Sequence, residues 1–134
     1  MESTELTVGT GSRPAVVDIT AEVAGFCRDR GDGLVSVFLP HATAGVAIIE
    51  TGAGSEDDLL AAVAVILPRD DRWRHRHGSA GHGADHLLPA IIAPSITVPV
   101  LGGRPALGTW QSIVLVDTNG DNPERRVRLS FLAG

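Results

Sequence analysis

The sequence predicts an α+β fold built on a largely antiparallel sheet, and three observations indicate it. Short apolar segments alternate with turn residues, the connections between them are hairpin-like rather than regular β-α-β units, and only three stretches have a helical pattern. The 134 residues, of which 43% are hydrophobic, are enough for a single core. We therefore expect one domain over residues 1–134, with about seven strands and about three helices.

The predicted strands show either period-two alternation of apolar and polar residues or a short apolar run that stops at a turn. In chain order they cover residues 5–8, 15–18, 34–39, 46–50, 96–100, 109–116 and 127–132. The run over 109–116 is the best candidate for a central strand. The dipeptide Asn119-Gly120 predicts a turn that leads back into the last strand.

The helices are predicted from capping residues and apolar spacing. Thr20 is the expected N-cap of the first helix. Residues 55–58 resemble a capping box for the second, and the apolar run over 59–67 predicts that this helix is well buried. A short third helix is expected over residues 84–92, because a proline follows its end.

Composition excludes several classes of protein. The net charge of −5 does not favour a nucleic-acid-binding face, which is normally basic. The single cysteine, Cys27, excludes an intrachain disulfide and fits a reducing compartment. The acidic, polar N-terminus is unlike a secretory signal, and no apolar run approaches the roughly 20 residues of a membrane span. We expect a cytoplasmic protein with neither a nucleic-acid nor a membrane partner.

Four of the five histidines lie in one stretch of the chain, and they are His75, His77, His82 and His86. Imidazole is both a metal ligand and an acid-base group near neutral pH. The spacing of four between His82 and His86 puts both rings on one face of a helix, as in helix-borne zinc sites. No cysteine or second such pair completes a zinc finger, so these residues are either site members or ordinary loop histidines.

Two further segments are candidates for the same polar pocket. His41 stands between two predicted strands and is followed by small residues, so it could lean into a cleft or be purely structural. In the segment 108–111, Thr109 and Gln111 offer hydrogen bonds and Trp110 offers apolar area, which suits a small-molecule pocket. The alternative is that Trp110 anchors the core and Gln111 lies at the surface.

Charged residues at the ends of elements are the remaining candidates. Glu50, Asp58 and Asp117 could ligate a metal or act as bases, although Asp58 also suits a cap and Asp117 a turn. The pair Arg125 and Arg126 could neutralise a phosphate, or form a solvated strand edge.

Taken together, several short motifs in this order resemble the YjbQ family, whose members are described as secondary thiamine-phosphate synthases and as proteins of uncharacterised function. The resemblance covers nearly the whole chain and includes a spacing of eleven residues between His75 and His86. The matching segments are 18–20, 41–45, Glu50, His75, His86, 95–100, 107–111, Asp117 and 125–126.

The resemblance implies an α+β sandwich of two sheets that assembles as a homotrimer, with a polar site near the subunit boundary. It assigns the functional histidines as His41, His75 and His86, which would act in catalysis and hold a divalent ion, zinc or magnesium. His77 matches no family histidine and is expected to be a bystander, and His82 stands where relatives usually carry asparagine or aspartate.

The remaining site residues follow from the same resemblance. Glu50 would be catalytic by orienting a histidine, and the substrate-binding residues would be Thr43, Thr109, Trp110, Gln111 and Arg126. Two departures weaken the match: Ala42 replaces a hydroxyl residue, and the loop 51–57 is one residue short and lacks expected acidic groups.

The activity that the resemblance implies joins a thiazole phosphate to a pyrimidine pyrophosphate and releases pyrophosphate. Such a reaction needs charge neutralisation on its leaving group. Two other hypotheses remain open from the residues alone. One is a metal-binding or small-ligand-binding module without turnover, and the other is a metal-assisted hydrolase that uses the same histidines.

Overall fold

The computed structural model describes residues 1–134 as eight strands and four helical segments. The strands are β1 (Glu2–Gly9), β2 (Ala15–Asp18), β3 (Gly33–Phe38), β4 (Ala44–Ile49), β5 (Ser95–Leu101), β6 (Arg104–Pro105), β7 (Ser112–Asp117) and β8 (Glu124–Ala133). The helices are α1 (Thr20–Cys27), α2 (Ser55–Ile66), α3 (His82–Asp85) and α4 (Leu88–Ile91). None of the helices has the length and apolar character that crossing a bilayer requires.

The strands form two antiparallel sheets, which confirms the predicted α+β sandwich. The larger sheet has the order β1-β8-β3-β5-β6 and the smaller sheet the order β2-β7-β4. The eighth strand, one more than the about seven predicted, is the two-residue β6 paired to the end of β5. The expected helix over 84–92 is present as two short turns, α3 and α4.

The central strand β7 is buried on both faces, as its apolar run predicts. Ile113 and Leu115 face the core between the two sheets, to which α1 also contributes Val23 and Cys27. Val114 and Val116 face a second, smaller core beneath α2, α3 and α4. The molecule is therefore layered as helices, small sheet and large sheet, and the outer face of the large sheet is not covered.

The second helix differs from its prediction. Of its apolar residues only Val63 is buried, while Val65 is 81% exposed and Ile66 is 57% exposed. The helix is the outermost layer over the small sheet, so only one of its faces meets the core. Its N-cap is Gly54 in a left-handed conformation, and the expected capping box over residues 55–58 does not form.

The prediction that the turn at Asn119 and Gly120 closes a hairpin is also wrong. The strand before it, β7, belongs to the small sheet and the strand after it, β8, to the large one. The chain crosses between the sheets here, and Arg125 at the start of β8 reaches back to Asp117 at the end of β7. Nε of Arg125 donates to Oδ2 of Asp117 at 2.7 Å and Nη2 donates to Oδ1 at 2.9 Å.

The ion pair is the centre of a buried group that we call the Arg125 network. It comprises Thr10, Thr43, Asp117, Asn119 and Arg125, all buried. The Thr10 hydroxyl donates to Asp117 at 2.7 Å, and Arg125 donates to Oγ1 of Thr43 at 2.8 Å. Asn119 donates from Nδ2 to the same Thr43 oxygen at 3.2 Å. Every charged group in the network is thus paired, which a buried charge requires.

We expect Arg125→Met to lower the free energy of unfolding by about 3–5 kcal/mol, because it leaves the Asp117 carboxylate buried without its cation. The matched control is Arg128→Met, which removes a half-exposed arginine paired with Glu5 and should cost less than about 1 kcal/mol. Urea unfolding of the two variants measures the difference. Equal losses would contradict the role given to the buried pair.

Candidate metal centre

The irregular segment between α2 and α3, residues 67–81, is held against the body of the protein by Trp73. Its ring packs on the small core and its Nε1 donates to the carbonyl oxygen of Pro68 at 2.8 Å. Arg76 then donates to the carbonyl oxygens of Trp73 and Asp71, at 2.9 and 2.7 Å. These bonds fold the segment back on itself, so that His75 and His77 face α3.

Close backbone packing brings the short helix α3 under this segment. Gly81 precedes it with φ of 75°, and a Cβ there would lie 2.9 Å from the Cα of Arg69. A Cβ on Gly83 would lie only 2.6 Å from the carbonyl oxygen of His75 and from Cβ of Trp73. Only glycine permits this approach, which places α3 directly against the residues that carry the first two histidines.

Four imidazoles meet at this contact, and we call them the histidine cluster: His75, His77, His82 and His86. One ring nitrogen from each lies within 4.8 Å of the other three. The ring centroid of His75 lies 4.1 Å from that of His77 and 4.0 Å from that of His86. Nε2 of His82 and Nε2 of His86 are 2.7 Å apart, so in the metal-free chain one of them must carry the shared proton.

His82 is the deepest of the four rings and has carboxylates on its other side. Its side chain is 8% exposed, and its Nδ1 lies 3.2 Å from Oδ2 of Asp121 and 3.8 Å from Oδ2 of Asp85. Although Asp121 is within range, its alignment is poor, and Nδ1 of His82 has no hydrogen-bond partner within the chain. Oδ1 of Asp85 is occupied by Arg69 and by the Thr118 hydroxyl, which leaves Oδ2 free toward His82.

The surroundings lower the pKa of two of the rings, His75 and His86, which favours their neutral form. Desolvation, and then the neighbouring rings of His77 and His82, lower the pKa of His75. Burial is the main cause that lowers the pKa of His86, and the other three rings add to it. Asp121 has a lowered pKa because it accepts a backbone hydrogen bond from Ser79. Neutral imidazoles with free lone pairs are the form that binds metal ions.

The donor set fits a late transition metal and does not fit magnesium. Four imidazole nitrogens around a tetrahedral ion at about 2.05 Å would be about 3.3 Å apart. Small movements of the rings reach that spacing, because the four nitrogens already lie within 4.8 Å of one another. Magnesium prefers six oxygen ligands, which the cluster does not supply.

The cavity beside the cluster is about 170 Å³ and is lined by Asp70, Asp71, Arg76 and Ser79 among others. It has room for an ion with a small ligand.

The structure does not bring His41 into the cluster, which corrects the predicted metal set of His41, His75 and His86 within one chain. Nε2 of His41 accepts the backbone N–H of Arg126 at 2.8 Å. The pairing of β3 with β8 ends at Phe38 and Arg128, so His41 takes over the next free amide along β8. Burial, and then the charges of Arg125 and Arg126, lower the pKa of His41.

One other expectation about the cluster is corrected by the same geometry. His77, expected to be a bystander, contributes one of the four converging nitrogens. His82 belongs to the cluster as well, and its spacing of four from His86 was the sequence signal for it. Asp121, beside His82, was missed, because only the crossing between the sheets places it there.

Glu50 and the segment 108–111 lie at the opposite end of the small sheet from the cluster. Ile49 at the end of β4 pairs with Ser112 at the start of β7, whereas Asp117 at the other end of β7 leads to Asp121. Six residues of β7 span about 17 Å. Within one chain, the predicted pocket joining the histidines to Thr109, Trp110 and Gln111 therefore does not form.

These opposite-end residues have few contacts of their own. Oε1 of Gln111 accepts the N–H of Gly108 at 2.8 Å, and Trp110 is 73% exposed instead of anchoring the core. Glu50 is exposed and makes no side-chain hydrogen bond or ion pair, so it orients no histidine here. At the cluster end, Arg126 is exposed and Thr43 is committed to the Arg125 network. Their predicted roles in substrate binding stay predictions.

The fold and the site together define a class of protein: a two-sheet α+β sandwich that presents four imidazoles at one end of its small sheet. The model of the family described as UPF0047 protein YjbQ-like matches residues 4–134. A relative from Mycobacterium tuberculosis H37Rv, UPF0047 protein Rv2556c, is 65% identical over 134 residues and is covered completely, as is this chain. A UPF0047 protein from Archaeoglobus fulgidus is 35% identical over 90% of this chain and 94% of its own.

Two solved structures agree with this assignment. The hypothetical protein APE1520 from Aeropyrum pernix K1 superposes with a TM-score of 0.89 at 35% identity, over 100% of both chains. A YbjQ-like protein of unknown function from Sulfolobus solfataricus P2 gives a TM-score of 0.92 at 25% identity, over 99% of this chain and 97% of that one. The chain belongs to the YjbQ (UPF0047) family, and the names of these relatives state no activity.

The contact at Gly83 gives a prediction for the cluster. In Gly83→Ala the new Cβ should push the segment carrying His75 away, at a cost of about 1–3 kcal/mol, which corresponds to a loss of zinc affinity of roughly 5- to 150-fold. The control is Gly25→Ala in α1, where a Cβ meets nothing within 4 Å. Competition with a chromogenic chelator measures both affinities. Unchanged zinc binding in Gly83→Ala would show that the close packing does not hold the cluster together.

Proposed function

We propose that this protein binds a late transition metal, zinc foremost, on the histidine cluster and uses it on a small phosphorylated molecule. The observation that carries the proposal is the convergence of four ring nitrogens within 4.8 Å of one another. Side chains that merely share a surface have no reason to point their nitrogens at one point. A bound cation would replace the proton that Nε2 of His82 and Nε2 of His86 share, and it would give the lone pair of each nitrogen a partner.

The reaction class is supported by the charges around the cluster. A bound ion of this kind supplies a Lewis acid that polarises a phosphate oxygen. Arg76 lines the same cavity, and Arg74 precedes His75 without an ion-pair partner, so guanidinium groups are available to bind further phosphate oxygens. His75 and His77 are both exposed on the irregular segment, but the carbonyl oxygen of His75 packs against Gly83 of α3, so His77 is the ligand most able to leave.

The finer activity that we propose to test is thiamine-phosphate synthesis, which the family resemblance implied. The cavity of about 170 Å³ is smaller than the roughly 300 Å³ at which ligand pockets begin, so one chain alone offers little room for two substrates. Residues from a second copy would enlarge it. We place this activity in the cytoplasm, as the single cysteine suggests.

A homotrimer is part of this proposal. The cluster and the segment 108–111 lie at opposite ends of β7, a strand about 17 Å long, so a site using both must join two copies. The uncovered outer face of the large sheet, with Leu34 and Leu132 paired across β3 and β8, offers apolar area for such contacts. Exposed Trp110 adds a large apolar side chain at the other end of the small sheet.

A binding module without turnover is the second candidate, and one observation favours it. Four imidazoles occupy all four coordination positions of a tetrahedral ion, as the protein ligands of structural zinc sites do. Catalytic zinc sites have three protein ligands and one open position. The two candidates differ in whether His77 must leave before substrate can bind.

We expect the purified protein to bind about one zinc ion per chain with a clear preference over magnesium. Removing a direct ligand in His82→Ala or His86→Ala should weaken zinc binding by more than the about 10–100-fold that the loss of an outer hydrogen bond costs. The loss in His77→Ala should be smaller. Elemental analysis and chelator competition measure these changes.

His41→Ala is the control for this experiment, because His41 is bonded to Arg126 and lies outside the cluster. Its zinc affinity should match that of the unaltered protein. Failure of the unaltered protein to bind zinc would refute the proposed function, and a large loss in His41→Ala would restore the three-histidine set that the sequence predicted.

Turnover is tested with thiazole phosphate and pyrimidine pyrophosphate on the zinc-loaded protein, with pyrophosphate release as the readout. We expect activity that is lost in His86→Ala and in Gln111→Ala. Mixing and reassembling these two inactive variants should restore activity, because some sites then combine an intact histidine cluster with an intact segment 108–111 from a neighbour.

Each other outcome counts against part of the proposal. A protein that binds zinc without turnover is the binding module. Phosphate release without condensation would identify a metal-assisted hydrolase instead. The shared site would be overturned if the mixture of the two inactive variants gained no activity, or if native mass spectrometry showed a monomer.

A further inference from the structure

The carboxylate of Asp121 lies behind the histidine cluster, next to the ring of His82. The ring of His82 presents Nε2 to the other histidines and Nδ1 to Oδ2 of Asp121, 3.2 Å away. A histidine that ligates a metal through one nitrogen nearly always donates its other N–H to a carboxylate or carbonyl, which fixes its tautomer and raises its basicity. Resting on the proposed function, we infer that Asp121 is the positioning residue that makes His82 the strongest ligand of the site.

The position of Asp121 is fixed by bonds that do not involve the cluster. Its Oδ2 accepts from both the backbone N–H and the hydroxyl of Ser79, each at 3.1 Å. Its own N–H donates to Oδ1 of Asn119 at 3.0 Å, and Asn119 belongs to the buried Arg125 network. The carboxylate is therefore held in place before any ion binds, as a ligand-orienting group must be.

The unpartnered atoms around His82 point to the same conclusion. Nδ1 of His82 and Oδ2 of Asp85 are both buried and lack a hydrogen-bond partner within the chain. A buried polar atom without a partner is costly, so the ring gains from turning its N–H toward a carboxylate. Asp121 is the nearer of the two carboxylates, and Asp85 is already engaged through its other oxygen by Arg69 and Thr118.

This arrangement assigns distinct tasks to the two nitrogens of His82. With the proton on Nδ1 facing Asp121, Nε2 has a free lone pair directed at the centre of the cluster. In the metal-free chain, the proton between the two Nε2 atoms must then lie on Nε2 of His86. When an ion binds, Nε2 of His86 loses this proton so that its lone pair can bind the ion. His75 and His77 have no carboxylate behind them, so their orientation depends on the backbone alone.

The test compares Asp121→Asn with the unaltered protein in zinc binding. The amide presents no ionised acceptor, and we expect zinc affinity to fall by about 10–100-fold. Asp121→Glu should recover part of that loss. The matched control is Asp71→Asn, which removes the same charge from the lining of the cavity beside the cluster but has no side-chain bond to the cluster.

Two spectroscopic readouts separate positioning from a general loss of structure. Cobalt-loaded Asp121→Asn should have a shifted visible spectrum while the apo protein keeps its unfolding midpoint, and the His82 Nδ1–H resonance of the zinc-loaded protein should move or disappear. Equal zinc affinity in Asp121→Asn and the unaltered protein would overturn the inference, as would an equal loss in Asp71→Asn. An unaltered protein that binds no zinc would instead refute the proposed function.

Discussion

The buried ion pair between Arg125 and Asp117 is the interaction on which the rest of this structure depends. It joins the start of β8 in one sheet to the end of β7 in the other, at the point where the chain crosses between them. A guanidinium and a carboxylate this deeply buried are tolerated only when they are paired and hydrogen-bonded, and Thr10 and Thr43 add further bonds to the pair. The crossing fixes Asn119 and, through it, Asp121, so one network holds both the fold and one wall of the site.

The two halves of the histidine cluster are held with different rigidity. His82 and His86 lie on or beside α3, which packs on the small core, and the ring of His82 is almost fully buried. His75 and His77 lie on an irregular segment that is anchored by Trp73 and by the bonds of Arg76. In the proposed metal site, the two ligands beside α3 would stay in place while an ion enters from the exposed side, where His75 and His77 lie.

Local patterns along the sequence predicted the layers of the fold but not how they are joined. The short apolar run over residues 15–18 and the apolar run of β7 depend on neighbours in sequence, and both were predicted as strands. The dipeptide Asn119-Gly120 shows that the chain turns, but whether the next strand joins the same sheet depends on where Arg125 finds its partner. In the same way, the spacing of His82 and His86 was visible in the sequence, whereas the bond of His41 to Arg126 depends on where β3 stops pairing with β8.

The residues that set this chain apart bear on what it can do within its family. The resemblance places asparagine or aspartate where this chain has His82, and no histidine where it has His77. An oxygen donor among imidazoles suits harder ions, while a fourth imidazole shifts preference toward later transition metals. The change is physically consistent only because Asp121 and Asp85 lie behind His82, since a buried imidazole needs an acceptor for its second nitrogen. Under the proposed function, a change at this one position would therefore alter the metal that the cluster prefers, and a shared fold does not by itself fix one reaction.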